Sequence, residues 1–242
     1  MSASLIIDFG NTRAKIAVFD EAGTMLRFWQ RKTIGIGWLQ KLFEQHRISR
    51  TMLCSVVAHN PAIEIWLQSH SDLTIFGHTT PLPIRLLYTT PHTLGKDRIA
   101  GACGAWLRFA HQNTLVIDAG TCLKYDFVTA EGNHVGGSIA PGIGMRLRAM
   151  HDYTAKLPLL EKQPLPDFVG HDTETALRTG AQLGAALEAQ GFADLYERRY
   201  GSRNILVTGG DASYLMPYLP KGAIEDKYLI INGLYGILKI KS

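Results

Sequence analysis

Four short segments of this chain combine carboxylates, glycines and small polar residues in a way that suits a polyphosphate. The first is Asp8-Phe9-Gly10-Asn11-Thr12-Arg13-Ala14-Lys15. Asp8 closes an apolar run, where a carboxylate can hold a hydrated cation. Gly10 lets a ligand approach the backbone, because it carries no side chain. Asn11 and Thr12 offer amide, hydroxyl and backbone N–H groups, and Lys15 adds positive charge. The same residues also make an ordinary hairpin turn. The second segment is Asp118-Ala119-Gly120-Thr121 and the fourth is Thr208-Gly209-Gly210-Asp211. The third, Gly136 to Gly142, reads as a glycine-rich loop entering a helix near Met145. That is an anion site by geometry and dipole, or a plain strand-to-helix turn. Together the segments favour a nucleotide site for phosphoryl transfer. The chain has no GxxxxGK[ST] run, and no GxGxxG follows its first apolar segment. P-loop and Rossmann sites are therefore excluded as explanations.

Transfer to a hydroxyl gains from a base beside the acceptor oxygen. Asp97, in Gly95-Lys96-Asp97-Arg98, is the candidate. It sits at a predicted helix start between two cations, which keep it ionised. An acid there also stabilises the helix dipole. Arg98 suits a carboxylate held by two parallel bonds, or a surface ion pair. His59, His92 and His171 lie near loops and read as structural.

Regular elements must hold these groups. Strands are predicted over Leu5–Phe9, Ala14–Phe19 and Met25–Gln30, with a turn at Asp20–Thr24. A helix follows over Trp38–His46, a parallel strand over Thr51–Val57, and a helix from Pro61 capped by Asn60. Leu73–Phe76 is a strand and Ile84–Tyr88 an extended piece in a proline-rich loop. The helix opening at Gly95 is thin at Gly101, Ala102, Gly104 and Ala105, which suits close packing. Pro158 to Pro166 reads as loop. Thr173 to Tyr200 reads as a long helix or a broken pair, with Gly180, Gly184 and Gly191 as contact or kink points. Asn204–Val207 is a strand, and Tyr228–Leu238 the C-terminal helix.

Leu115-Val116-Ile117-Asp118-Ala119-Gly120 echoes Leu5-Ile6-Ile7-Asp8-Phe9-Gly10 at an offset of 110 residues. In both places a second apolar strand, a glycine turn and a third strand follow. The echo predicts an internal duplication, with both Asp-x-Gly turns facing one cleft. Clefts between domains are favoured ligand sites.

Composition limits the partners. Of 242 residues, 46% are hydrophobic and 19% charged, and the net charge is +4. Lys and Arg are scattered, so nucleic acid is not favoured. Cys54, Cys103 and Cys122 have no CxxC spacing and read as buried free thiols. No apolar run reaches about 18 residues, so no membrane span is expected, and a cytoplasmic protein is the default.

The chain resembles the type III pantothenate kinases of the acetate kinase, sugar kinase, Hsp70 and actin superfamily. The resemblance rests on D-x-G-N-T-x-x-K at Asp8–Lys15, G-x-D-R at Gly95–Arg98, D-x-G-T at Asp118–Thr121, G-G-x-I-x-P-G at Gly136–Gly142, and T-G-G-D at Thr208–Asp211. It implies an α/β fold of two duplicated actin-like (ribonuclease H-like) domains, 1–112 and 113–242. Each would carry a mixed β-sheet flanked by helices, with the active site in the interdomain cleft. It implies ATP-dependent phosphorylation of the primary hydroxyl of pantothenate to 4′-phosphopantothenate, which opens coenzyme A synthesis. Asp97 would be the base. Tyr88, Gly95, Lys96, Asp97, Arg98 and Thr173 would contact pantothenate. Asp8, Phe9, Gly10, Asn11, Thr12, Arg13, Ala14, Lys15 and Thr121 would hold ATP with its Mg2+. Asp118 would bind a monovalent cation, K+ or NH4+. A homodimer is implied, with the thin helix after Arg98 forming part of its interface. Two departures stand out. Lys124 replaces a small residue, commonly Thr, and Thr173 follows Asp172 where Asn is usual. A kinase with another acceptor and a regulatory module that keeps the fold remain open alternatives.

Overall fold

A computed structural model describes residues 2–164, 167–201 and 204–240. Leu165 and Pro166, at the end of the expected loop, lie outside the described residues. The chain divides into two compact units, each described by itself. The first runs to Leu107 and includes the chain from Tyr228 onward; the second is Arg108–Lys227.

The first unit is built on a five-stranded sheet. Its strands are β1 (Ala3–Phe9), β2 (Ala14–Phe19), β3 (Met25–Arg31), β4 (Ile48–Ser55) and β5 (Asp72–Ile75), in the order β3-β2-β1-β4-β5. β1, β2 and β3 pair antiparallel, while β4 and β5 join in parallel. Alternation decides which side each residue takes. Leu5, Ile7, Ile16, Val18 and Leu53 pack with Leu39 and Leu42 of α1 (Ile36–Gln45) and Ile63 and Leu67 of α2 (Pro61–His70). Each such side chain, fully buried, contributes roughly 1.5–3 kcal/mol. α2 starts as expected: Asn60 accepts a hydrogen bond from the Ala62 N–H, and Pro61 needs no donor. Two residues, Arg85–Leu86, form the short strand β6.

The opposite face of this sheet meets α7 (Leu229–Ile240), which touches β1, β2 and β4. Tyr235 stacks on Phe19, ring centroids 4.2 Å apart. α7 also packs on α3 (Lys96–Arg108) through glycines from both helices: Gly104 lies against Leu229, Gly233 against the Ala100 backbone and Gly236 against Leu107. The thin face of α3 does pack closely, as expected, but its partner is α7 of the same chain. Gly104 is therefore unavailable for the dimer contact assigned to that helix.

The second unit repeats the plan. β7 (Thr114–Ala119), β8 (Cys122–Val128) and β9 (Asn133–Pro141) pair antiparallel, and β10 (Asn204–Thr208) and β11 (Ile224–Glu225) add in parallel, giving β9-β8-β7-β10-β11. Order and pairing sense match the first sheet strand for strand. Leu115, Ile117, Leu123, Tyr125 and Phe127 face a core with Ile143 and Leu147 of α4 (Ile143–Asp152) and Ala181, Ala185 and Ala189 of α5 (Thr173–Tyr200). α6 (Ala212–Leu215) closes that core.

Two local expectations are corrected. The third strand expected at Val135–Ile139 is present and longer, so that Gly136 to Pro141 is not a loop but the end of β9, and α4 begins at Ile143 with Gly142 as its N-cap. A Cβ on Gly137 would strike the Tyr125 carbonyl of β8. Gly137 thus serves strand approach, and Gly136, at φ +106°, lies where the β8–β9 register shifts. α5 is one continuous helix, and Gly180, Gly184 and Gly191 face open space. They are neither contact nor kink points. Asp172 caps this helix by accepting the Thr175 N–H at 2.8 Å, and the Thr175 hydroxyl accepts the Asp172 N–H in return.

Candidate active site

In the first unit, Asp8 ends β1 on the face turned toward α7, away from the core of α1 and α2. Across the ladders it stands opposite Lys15 on one side and Cys54 on the other. Its carboxylate is buried, and Cys54 beside it on β4 is buried as well. Burial pushes that thiol far above its ordinary value; the charges of Asp8 and Asp97 add to the rise, and Lys96 opposes it. The Cys54 thiol therefore feels the charges of Asp8, Lys96 and Asp97, although Lys96 and Asp97 are distant in sequence. In the sequence Cys54 reads only as a buried thiol, and nothing in its spacing marks its neighbours.

The turn after Asp8 leaves Asn11, Thr12 and Arg13 exposed, tied by the Gly10 N–H donating to the Arg13 carbonyl at 3.3 Å. Phe9 and Ala14, also assigned to ATP, send their side chains into the core, and Phe9 stacks on His59 at 4.7 Å. Only their backbone can serve a ligand. His59 bridges Ser55 and Glu64 and is structural, as expected.

Asp97 begins α3 with its Oδ1 accepting the Arg98 N–H at 2.9 Å. A Cβ on Gly95 would lie 2.7 Å from that same oxygen. Gly95 thus clears the space the carboxylate needs. Lys96 and Asp97 are half-buried and Arg98 is buried. The Arg98 guanidinium lies over the Tyr88 ring, 5.7 Å from its centroid. The structure brings Tyr88, Gly95, Asp97 and Arg98 together as one patch.

In the second unit, three of the motifs meet through their backbones. The β7–β8 turn is closed by the Gly120 N–H donating to the Cys122 carbonyl at 3.0 Å. Gly142 donates to the Thr121 carbonyl at 3.1 Å, and a Cβ there would strike the Gly120 carbonyl. The Asp211 N–H donates to the Ala119 carbonyl at 2.9 Å, while Gly209, at φ +96°, lies against the same residue. Thr121 is left exposed at the tip. Asp211 is buried and ion-paired with Lys162. Thr173 is the exposed first residue of α5 and belongs to none of these turns.

Asp118 faces away from the helices of its unit. Its Oδ2 lies 2.5 Å from the Lys124 Nζ, directly opposite on β8, and both side chains are 15% exposed. Asp118 and Lys124 repeat the pairing of Asp8 with Lys15, in a turn one residue shorter. Among the described residues, no group of three or more His, Cys, Asp or Glu could hold a metal ion. Cys54, Cys103 and Cys122 are all free thiols.

The profile of the type III pantothenate kinase family matches residues 4–194. A type III pantothenate kinase of Bacteroides fragilis is 35% identical, with 97% of each chain covered. One from Porphyromonas gingivalis is 33% identical, with 99% of each covered. Among solved structures, a Campylobacter jejuni chain assigned to the Baf family of transcriptional activators superposes with a TM-score of 0.62, at 22% identity, over 98% of both chains. The polyphosphate/ATP-glucomannokinase of an Arthrobacter strain gives 0.52 at 14% identity over 100% of both. These two show the fold alone, the actin-like kinase fold that the family resemblance implies. Profile and near-full-length relatives agree: the chain belongs to the type III pantothenate kinase family.

Proposed function

We propose that Asp97 is the base of an ATP-dependent kinase that phosphorylates pantothenate to 4′-phosphopantothenate, the first step of coenzyme A biosynthesis. The observation that carries the assignment is the carboxylate at the start of α3, cleared by Gly95 and next in the chain to Arg98, whose guanidinium lies over the Tyr88 ring. Asp97 takes the proton of the primary hydroxyl as its oxygen bonds to the γ-phosphorus. The bridging P–O bond breaks, and ADP leaves with that electron pair.

Arg98 binds the pantothenate carboxylate through its guanidinium, held in place by the Tyr88 ring. Tyr88, Gly95, Lys96 and Thr173 complete the pantothenate contacts. The exposed turn donors of Asn11, Thr12 and Arg13, the backbone of Phe9, Gly10 and Ala14, and the charge of Lys15 hold the ATP phosphates, with Thr121 contributing its hydroxyl. The magnesium ion arrives with ATP. Asp8 suits an ion that keeps most of its waters and takes one or two carboxylates plus phosphate. When bound it screens the charge on the phosphates.

The chain acts in the cytoplasm as a homodimer, with 1–112 and 113–242 as its duplicated halves. No helix among the described residues is long and apolar enough to cross a membrane. Light scattering behind a sizing column tests the dimer.

The test of the reaction is ADP release by the purified chain with ATP, Mg2+ and pantothenate. Asp97→Asn should lose nearly all turnover while still binding pantothenate. Full turnover in that variant would remove Asp97 as the base.

A further inference from the structure

Family resemblance calls for a monovalent cation at Asp118, and the residues present do not fit one. The Asp118 carboxylate already holds a cation, the Lys124 ammonium at 2.5 Å. Register fixes this pair. Asp118 and Lys124 are directly opposed on antiparallel strands, so their side chains leave the sheet on the same face. Both are largely shielded from water, which strengthens their attraction and makes separation costly. A potassium ion on that carboxylate would sit next to the ammonium and be repelled by it.

We propose that the Lys124 ammonium takes the place of the monovalent cation at Asp118, so that this kinase turns over without potassium or ammonium. The inference rests on the kinase reading above. A tethered ammonium matches a bound monovalent ion in charge and donates hydrogen bonds that the ion lacks. It is also present at full occupancy whatever the salt. Lys15 stands at the corresponding register position opposite Asp8 in the first half of the chain.

The experiment compares wild type, Lys124→Thr and Lys124→Arg in potassium-free buffer, with choline chloride matching ionic strength. Turnover and thermal unfolding are followed as KCl replaces choline chloride. Wild type should show the same rate and the same melting temperature in both salts, and Lys124→Arg should behave alike. Lys124→Thr should lose on the order of a hundredfold in choline, regain it in KCl, and melt higher in KCl than in choline. Potassium-dependent turnover or melting of the wild type overturns the proposal. So does a folded Lys124→Thr that is active without potassium or is not rescued by it. If Lys124→Thr does not fold, the wild-type comparison decides. If wild type shows no turnover of pantothenate even in KCl, the kinase reading fails, and the wild-type melting comparison still decides whether Asp118 takes potassium.

Discussion

Gly233 of α7 lies against the Ala100 carbonyl of α3 so closely that any Cβ at Gly233 would collide with it. The reverse contact, Gly104 against Leu229, is as tight. Two helices distant in sequence are thereby locked in one register, and α3 is the helix that starts with Asp97 and Arg98. Gly233→Ala and Gly104→Ala should each destabilise by about 1–3 kcal/mol, the cost of overpacking a filled interface. Gly191→Ala, in open space within α5, should stabilise by about 0.5–1 kcal/mol through helix propensity. Urea unfolding of the three variants checks this. Equal effects at all three sites would show that the glycines act through propensity and not through contact.

The thiols give a second test. Cys54 and Cys103 are fully buried, and burial pushes both far above the ordinary 9.0 of a thiol. Neither is reactive at neutral pH, since the thiolate is the nucleophile. Cys122, half-exposed beside Thr121, is the accessible one. A disulfide reagent at pH 8 should therefore titrate a single thiol in the native chain and three in denaturant. ATP should slow the reaction of Cys122, because Thr121 is assigned to the nucleotide. Fast reaction of a second native thiol would show that the Asp8–Cys54 contact opens.

Alkaline pH probes the second core. The Tyr125 hydroxyl donates to Glu188 Oε1 at 3.0 Å, and Arg146 grips the other Glu188 oxygen at 2.5 Å. Burial first, then the Glu188 charge, raises the Tyr125 hydroxyl well above its ordinary 10.0. The native state therefore keeps a proton that the unfolded chain loses above pH 10. The unfolded state binds fewer protons there, so stability falls as pH rises. Below pH 10 the contribution is complete. Each such group adds a slope of up to about 1.4 kcal/mol per pH unit. Cys54 and Cys103, with raised values, add theirs from pH 9 upward. Urea unfolding from pH 8 to 11 should show this decline. Tyr125→Phe should flatten it above pH 10 while costing about 1 kcal/mol for the lost hydrogen bond at pH 8.

Much of this architecture is legible in the sequence, for a physical reason. The strand Leu5–Phe9 is apolar on both faces because helices cover both sides, Leu115–Ala119 repeats its pattern, and the Asp-x-Gly at both ends marks the corresponding turn twice. What escaped reading depends on contacts remote in the chain. Gly136 and Gly137 look like a turn by composition, yet both lie in β9: Gly137 has no room for a side chain against β8, and Gly136 takes a φ of +106° where the register shifts. Gly180, Gly184 and Gly191 look like contact points, yet nothing approaches them. Lys124 is the counterpart of Lys15, but the turn before it is one residue shorter, so the offset of 110 residues hides the match until the ladders align it. Cys54 carries no motif at all. Only the folded chain brings it beside Asp8 and within reach of the charges of Lys96 and Asp97.

Arg98 separates acceptor binding from chemistry. Its guanidinium is buried and lies over the Tyr88 ring, so its orientation is set before substrate arrives. A planar fork bonds a carboxylate in two places; an ammonium cannot. Arg98→Lys keeps the charge but loses one of those bonds and the ring contact, a change of about 1.5–3 kcal/mol in binding. The KM for pantothenate should rise roughly tenfold to a hundredfold, with kcat and the KM for ATP little changed. Asp97→Asn should show the opposite split, because it removes the proton acceptor and leaves the carboxylate site intact. Steady-state kinetics with pantothenate and ATP varied separately distinguishes the two. If Arg98→Lys lowered kcat and left the pantothenate KM alone, Arg98 would belong with the transferring phosphate and not with the acceptor's carboxylate.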